Sequence, residues 1–177
     1  RHVLVLGGVK KGNSPCAFIQ CYDVDACRWS ILRFDLSENR YGHTAVAFDD
    51  QIVVAGGWPT SKVEILKVSS DLLAGGYYEK KGTRRIAFDP LDAIIPSWTE
   101  LPRLKKTMAC TGGTIDSNRL VIVDNGWDST GNTYMFDQRN PVEWVSIPNP
   151  PKVLRYCTAA TVGKKFFLLG GTDTYGT

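Results

Sequence analysis

The sequence is short of the features that define several large classes of protein. No apolar run approaches the roughly 18 to 20 residues that a membrane-spanning helix needs. Lysine and arginine number 21 and aspartate and glutamate 18, which leaves a net charge of only +3. That balance does not indicate nucleic-acid binding. We therefore expect neither a membrane nor a nucleic acid as a partner.

Metal ligands are scarce as well. His2 and His43 are the only two histidines, and the cysteines form no Cys-x-x-Cys pair of the kind that holds structural zinc. The sequence also contains no nucleophile elbow, phosphate-binding loop or paired His-Glu motif of a metalloprotease. It therefore predicts no metal, no cofactor and no catalytic residues.

The cysteines are five, an odd number, and their spacing is irregular. Cys110 and Cys157 stand at similar places in two small-residue segments, so we expect both to be buried. Cys16, Cys21 and Cys27 lie around a predicted hairpin, and we expect them to be more exposed. Free thiols persist in reducing compartments, and the protein is therefore expected to be cytoplasmic.

What the sequence does have is a set of adjacent glycines that close short apolar runs, LVLGG, IVVAGG and FFLLGG. A degenerate copy, LVIVDNG, ends in Asn125 and Gly126, with asparagine in place of the first glycine. The apolar runs do not alternate with polar residues, as in strands buried on both faces. Paired glycines suit a point where the backbone turns with positive φ or where two segments approach closely. The complete pairs are Gly7 and Gly8, Gly56 and Gly57, and Gly170 and Gly171.

Further elements follow the glycine runs in a fixed order. Tyr22 and Trp29 follow the first run, and Phe136 and Trp144 follow the degenerate copy. Trp98 follows the second run, where no aromatic residue precedes it at the equivalent position. After each tryptophan come a small-residue segment, a polar turn and the next glycine run. Each tryptophan offers a large apolar surface, so we expect all three to be mostly buried.

This order of elements resembles the kelch repeat, whose period is about 50 residues. The resemblance covers nearly the whole chain and implies an all-β fold, namely a kelch-type β-propeller fragment of about three and a half four-stranded antiparallel blades. The remaining blades of the propeller are expected from sequence outside these residues. The expected divisions are an incomplete blade at 1–36, a blade at 37–104 with an insertion at 69–96, a blade at 105–150 and an incomplete blade at 151–177.

The insertion at 69–96 is the most individual part of the sequence, because an ordinary kelch blade has only a few residues there. Long loops on a rigid scaffold commonly carry binding, and tyrosine and arginine are enriched at the centres of interfaces. The alternative interpretation is a solvated loop whose charges serve solubility. The predicted partner-binding residues, which suit an acidic protein, are Tyr77, Tyr78, Lys80, Lys81, Arg84 and Arg85.

The resemblance implies a non-catalytic protein-interaction module. Its first implied role is substrate recognition in a BTB-kelch ubiquitin ligase adaptor, with the ligase substrate as partner. Its second is binding or cross-linking of actin, an acidic protein. A remote alternative is a copper radical oxidase of the galactose or glyoxal oxidase type, but that site needs several ligands that converge on one point, and this chain offers few histidines.

Overall fold

The computed structural model of the chain describes residues 1–69, 73, 96–126 and 130–173. Every element whose bounds it gives is a β-strand. In chain order the strands are β1 (His2–Lys10), β2 (Ser14–Asp23), β3 (Arg28–Ile31), β4 (Thr44–Phe48), β5 (Gln51–Ala55), β6 (Val63–Lys67), β7 (Thr99–Leu101), β8 (Cys110–Asp116), β9 (Arg119–Asp124), β10 (Thr133–Asp137), β11 (Val145–Ile147), β12 (Thr158–Val162) and β13 (Lys165–Leu169).

The strands form four antiparallel sheets that follow one another along the chain. Sheet 1 has the order β1-β2-β3, sheet 2 β4-β5-β6-β7, sheet 3 β8-β9-β10-β11 and sheet 4 β12-β13. Each strand pairs with its neighbour in sequence, so tight hairpin connections suffice within most of each sheet. The expected all-β class and the antiparallel four-stranded sheets are confirmed. The assignment of the sheets to blades of one ring stays a prediction.

The buried core lies between successive sheets. One apolar cluster joins sheets 1 and 2, and a second joins sheets 2 and 3. Strand β5 contributes to both: Ile52 and Val54 belong to the first cluster, and Val53 and Ala55 belong to the second. A strand that is covered on both faces needs a continuous apolar run rather than an alternating one. This is why IVVA is apolar throughout.

The first strands of sheets 2, 3 and 4, namely β4, β8 and β12, lie against one another and are built from small residues. A side chain at Gly112 of β8 would place its Cβ 3.2 Å from Thr44 Cγ2 of β4. At Gly113 the same atom would lie 2.5 Å from Thr161 Oγ1 of β12, closer than non-bonded atoms approach. Close packing of the three strands therefore explains why their sequences are limited to small residues.

The glycine pairs turn the chain out of the sheets. Gly56 and Gly57 have φ of 67° and 95°, and Gly170 and Gly171 have φ of 66° and 91°. These values are left-handed and favour glycine. A Cβ at Gly57 would also lie 2.8 Å from the carbonyl oxygen of Tyr41, so a side chain there is excluded both by the backbone conformation and by the space available.

The strand register shows which residues of the degenerate copy occupy the positions of the glycine pair. Ala55 pairs with Val63, and the next N–H, that of Gly56, donates to Lys62 O. In sheet 3 Val123 pairs with Thr133, and the next N–H, that of Asp124, donates to Asn132 O. The residues at the positions of the glycine pair are therefore Asp124 and Asn125. The placement of the pair at Asn125 and Gly126 is wrong by one residue.

Two aromatic pairs recur with nearly the same geometry. The rings of Tyr22 and Trp29 lie 5.1 Å apart at 40°, and those of Phe136 and Trp144 lie 5.2 Å apart at 35°. Trp144 Nε1 donates to Pro102 O at 2.8 Å, and Trp98 Nε1 donates to Asp35 O at 2.9 Å. In both cases the acceptor belongs to the segment that follows the preceding sheet, so the indole joins two sheets.

The expected burial of the tryptophans holds fully only for Trp144, which is 4% exposed. Trp98 is partly buried against the cluster between sheets 1 and 2. Trp29 is 51% exposed, so the prediction for this residue is wrong. It lies on β3 of sheet 1, and it belongs to neither of the two apolar clusters that successive sheets bury between them.

The expected exposure of the cysteines also needs correction. All five thiols are free, and Cys110 and Cys157 are buried as predicted. Cys16 and Cys21 are buried too, contrary to expectation. Cys21 belongs to the apolar cluster between sheets 1 and 2, and Cys16 forms an isolated bridge with the buried Arg40. Cys27, in the turn that precedes β3, is exposed as expected.

The tryptophans supply a stability test. Replacing Trp144 with Ala removes a buried indole, its ring contact and its hydrogen bond, and we expect a loss of about 3–5 kcal/mol of unfolding free energy, as for large aromatic truncations in cores. Trp29→Ala is the matched control, since its side chain has the same kind of ring contact but is half exposed; we expect about 1 kcal/mol or less. Urea denaturation measures both. Equal losses would show that burial between sheets does not set the difference.

Candidate functional site

The segments that precede β4, β8 and β12 lie at the same end of their sheets as the segments that follow β5, β9 and β13. Within sheet 2, Thr44 at the start of β4 pairs with Ala55 at the end of β5. The corresponding pairs are Thr111 with Val123 in sheet 3 and Thr158 with Leu169 in sheet 4. We call this end of sheets 2, 3 and 4 the glycine-end face; it comprises residues 38–43, 56–62, 102–109, 124–126, 149–157 and 170–173.

Backbone hydrogen bonds hold the three parts of this face side by side. The N–H of Gly57 donates to Met108 O at 2.8 Å, and the N–H of Cys110 donates to Gly42 O at 2.9 Å. The N–H of Tyr156 donates to Asn125 O at 2.8 Å. Bonds between sheets fix the relative positions of loops that would otherwise move independently, so the face is a connected surface.

Three large aromatic side chains are exposed on the glycine-end face. Trp58 is 57% exposed, Tyr156 63% and Tyr41 37%. Trp58 and Tyr41 exchange backbone hydrogen bonds of 2.8 and 3.1 Å, so these two residues are neighbours. Tyr156 has a φ of 56°, a left-handed conformation that is uncommon for a bulky residue and is found more often at functional sites. Exposed aromatics held on a fixed backbone are typical of interface centres.

A fully buried ion pair lies beneath Trp58. Arg40 is 0% exposed and its Nη2 donates to Glu64 Oε1 at 2.9 Å. The other guanidinium nitrogen donates to Lys62 O at 3.0 Å and to Gly56 O at 3.3 Å, the carbonyls on either side of the turn that carries Trp58. Ser37 donates its hydroxyl to the second oxygen of Glu64. Burial lowers the pKa of Arg40, and the Glu64 carboxylate opposes that shift.

The charges around the face are of both signs. Arg103 Nε lies 2.7 Å from Glu100 Oε1, and Lys106 Nζ lies 3.1 Å from the buried carboxylate of Asp124. Lys105 is exposed beside them. Because two of these three cations have a carboxylate partner, the aromatic side chains rather than net charge are the most distinctive feature of the surface.

Burial shifts two titratable groups that lie at the rim of the face. Desolvation lowers the pKa of His43 to about 4, and the nearby Arg40 adds to the shift, while the backbone of Leu6 opposes it. Desolvation raises the pKa of the Cys110 thiol to about 12, and the thiol donates to Ala55 O at 3.1 Å. Cys110 is therefore a protonated packing residue at neutral pH, and His43 is uncharged.

The sequence-predicted partner-binding residues, Tyr77 to Arg85, lie outside the described residues. The segments that flank the insertion are described. Val68 precedes it, and the N–H of Val68 donates to Asp50 O at 2.6 Å. Asp50 belongs to the turn between β4 and β5, which lies at the opposite end of sheet 2 from Gly56. The insertion therefore leaves the sheet at the end opposite the glycine-end face.

Sequence reasoning missed the glycine-end face and the buried ion pair. The signal for the face was the dipeptide Arg-Tyr, which stands before a small-residue strand at both 40–41 and 155–156. The signal for the ion pair was Glu64, a charged residue inside the otherwise apolar strand VEILK. Burial of a carboxylate requires a cation or several hydrogen bonds, so Glu64 could have been expected to face an arginine.

Within residues 1–69, 73, 96–126 and 130–173, no group of three or more His, Cys, Asp or Glu side chains is placed to hold a metal ion. In the same residues, no helix has the length and apolar character needed to traverse a lipid bilayer.

Comparison with known proteins shows likeness at the level of the fold. No protein-family model and no curated protein matches the chain. Among the 118 matching chains of solved structures is that of YjhT, with a TM-score of 0.64 and 12% sequence identity. The match covers 90% of this chain and 46% of YjhT, so the chain spans less than half the length of that protein. At this identity the similarity concerns the fold alone.

The lowered pKa of His43 predicts a pH dependence of stability. In the unfolded chain this histidine takes up a proton near its ordinary pKa of 6.5, but in the folded protein only near 4. Protonation between these values favours the unfolded state, so stability is full above pH 6.5 and falls as the pH drops toward 4, by on the order of 1–3 kcal/mol. His43→Gln should flatten this part of the profile.

The measurement is the urea midpoint from pH 7.5 to pH 4. His2→Gln, at the chain's other histidine, is the matched control and should retain the wild-type dependence. If the His43→Gln profile runs parallel to that of the wild type throughout this range, the buried neutral imidazole is not the origin of the pH dependence.

Proposed function

We propose that the chain is a non-catalytic protein-interaction module and that its docking surface is the glycine-end face. The exposure of Trp58, Tyr41 and Tyr156 on hydrogen-bonded loops carries this proposal. Aromatic side chains bring large contact areas and few rotatable bonds, so they bind with little loss of conformational entropy. The buried Arg40 supports the same function because it fixes the turn on which Trp58 stands.

We further propose that the four sheets are blades of a kelch-type propeller. Three observations support it: the sheets follow one another in chain order, their first strands pack side by side, and the same tryptophan hydrogen bond joins sheet 1 to sheet 2 and sheet 2 to sheet 3. In such a ring the small-residue strands surround the axis, and all glycine-end loops face one side. Additional blades would come from sequence outside the 177 residues.

Among proteins of this kind, substrate recognition for a BTB-kelch ubiquitin ligase adaptor is our first candidate. The exposed aromatic side chains of the glycine-end face suit the binding of a protein, and the order of elements in the sequence resembles the kelch repeat. These two features support the adaptor role. Actin binding or cross-linking is the second candidate, favoured by the basic residues of the insertion and by Arg103, Lys105 and Lys106. A copper radical oxidase remains the remote alternative; among the described residues, no group of three or more His, Cys, Asp or Glu side chains is placed to hold a metal ion.

The glycine-end face and the insertion use different residues, so they can be tested separately. In the first variant, Tyr41, Trp58 and Tyr156 become Ala; in the second, Lys80, Lys81, Arg84 and Arg85 become Glu. If actin docks on the insertion, the second variant should cosediment with filaments at least about tenfold more weakly than wild type, and wild-type binding should fall with salt, because the contact is electrostatic. The first variant should bind actin unchanged.

The adaptor role predicts a different result. Actin cosedimentation of the wild type should be absent, and a protein captured in cells should lose binding to the aromatic variant but not to the charge-reversed variant. Loss of the adaptor should then raise the level of that protein and lower its ubiquitination. The aromatic variant changes exposed side chains, so it should unfold within about 0.5 kcal/mol per site of the wild type. We expect the same of the charge-reversed variant. Unchanged binding by both variants would rule out both surfaces.

A further inference from the structure

Tyr41 and Trp58 form a cross-strand pair at the glycine end of sheet 2. The N–H of Tyr41 donates to Trp58 O at 3.1 Å and the N–H of Trp58 donates to Tyr41 O at 2.8 Å, in an isolated antiparallel bridge. Residues that face each other in such a bridge have Cβ atoms about 4.5–5.5 Å apart and side chains on the same side of the ladder. The phenol and the indole therefore leave the backbone side by side and in the same direction.

The two rings stand beside each other without packing together. Each ring contact in the described part of the chain joins other aromatic residues, and both side chains of this pair are exposed. Sheet 2 already packs against sheet 1 on one face and against sheet 3 on the other, and neither neighbour covers the pair. We call the space between Tyr41 and Trp58 the aromatic slot.

The hydrogen-bonding groups of the slot are open to a ligand. The indoles of Trp98 and Trp144 each donate to a backbone carbonyl of the segment that follows the preceding sheet. Within the residues that the structure describes, neither Trp58 Nε1 nor the Tyr41 hydroxyl has a hydrogen-bond partner. Both groups can donate, so an occupant that is rich in acceptors complements the slot.

The charged side chains in the two segments that carry the slot are paired with carboxylates or with a cation. Lys62 Nζ lies 3.6 Å from Glu100 Oε2 and 3.9 Å from Glu38 Oε1. The buried Arg40 is paired with Glu64 at 2.9 Å. The slot thus has no excess charge of either sign to attract a charged group, which favours an uncharged occupant.

We propose that the aromatic slot binds a proline-rich segment of the partner protein in the polyproline II conformation, with one proline ring held between the faces of Tyr41 and Trp58. Such a segment makes no internal hydrogen bonds, so its carbonyl oxygens are free to accept from the indole and the phenol. Its conformation is set before binding, so little entropy is lost on docking against aromatic side chains. This contact uses the glycine-end face and therefore rests on the proposed function.

The probe is acetylated and amidated decaproline, titrated into the whole chain and followed by calorimetry and by the indole N–H signals in a nitrogen-edited NMR spectrum. We expect the Trp58 signal, identified by its absence from the Trp58→Phe variant, to shift. Tyr41→Ala and Trp58→Ala should each weaken binding at least about tenfold, as for aromatic side chains at interface centres. Trp58→Phe retains a ring but loses the donor and should weaken binding roughly 2- to 12-fold, the effect of one hydrogen bond.

Trp29→Ala is the matched control for these variants. Trp29 is exposed to a similar degree as Trp58, 51% against 57%, but lies on β3 of sheet 1, outside the slot, so this variant should bind decaproline as the wild type does. A Gly-Ser peptide of equal length should not bind. Equal binding of the Gly-Ser peptide, or equal weakening by Trp29→Ala, would overturn the proposal. So would tighter binding of a short peptide that carries trimethyl-lysine, because the slot would then be a cation site.

Proline recognition and the proposed function can fail separately. If decaproline does not bind but the variant with Ala at positions 41, 58 and 156 still loses a captured protein, proline recognition is wrong and the docking function stands. If decaproline does not bind and that variant retains the captured protein, both are wrong. Binding of decaproline with the stated losses in the Tyr41 and Trp58 variants supports both.

Discussion

The close approach of backbone to backbone at the glycine ends is the constraint on which the rest of this structure depends. A Cβ at Gly7 would lie 2.7 Å from the carbonyl oxygen of Arg40, and a Cβ at Gly56 would lie 3.0 Å from that of Met108, and both acceptors precede the first strand of the next sheet. Contact at this range lets the N–H groups at the strand ends bond to the next sheet. The loops at this end are thereby fixed by main-chain hydrogen bonds, which are insensitive to the identity of the surface side chains.

The buried ion pair of Arg40 and Glu64 lies beside these close backbone contacts. A buried Arg–Glu pair contributes little net stability, because both charges lose their hydration, but removal of one partner leaves a costly unpaired charge. In this chain the guanidinium of Arg40 also bonds to the carbonyls of Gly56 and Lys62. It thus holds together the entry and exit of a turn that has no regular strand pairing of its own. Its structural consequence is the position of Trp58 rather than additional free energy of folding.

The architecture could be predicted from the sequence to a large extent, because glycine pairs, unbroken apolar runs and small-residue strands each follow from a single packing requirement. Trp29 could not be placed correctly in this way. Its sequence surroundings match those of Trp144, yet one is half exposed and the other buried, since burial depends on whether a neighbouring sheet covers the residue. The pair predicted at Asn125 and Gly126 was misplaced by one residue because register is set by hydrogen bonding between strands, which a linear pattern does not record.

The candidate site was harder to predict than the fold for a related reason. The insertion could be proposed as a binding segment because its length and its basic residues are visible in the sequence. The glycine-end face consists of six short segments that are separate in the sequence, and none of Tyr41, Trp58 and Tyr156 is unusual in its own segment. They become a surface only because the strands alternate in direction, so that every loop entering a first strand meets a loop leaving a second. Antiparallel topology therefore determines which residues can act together, and the exposed aromatics were brought to one side by the same hydrogen bonds that made the glycines necessary.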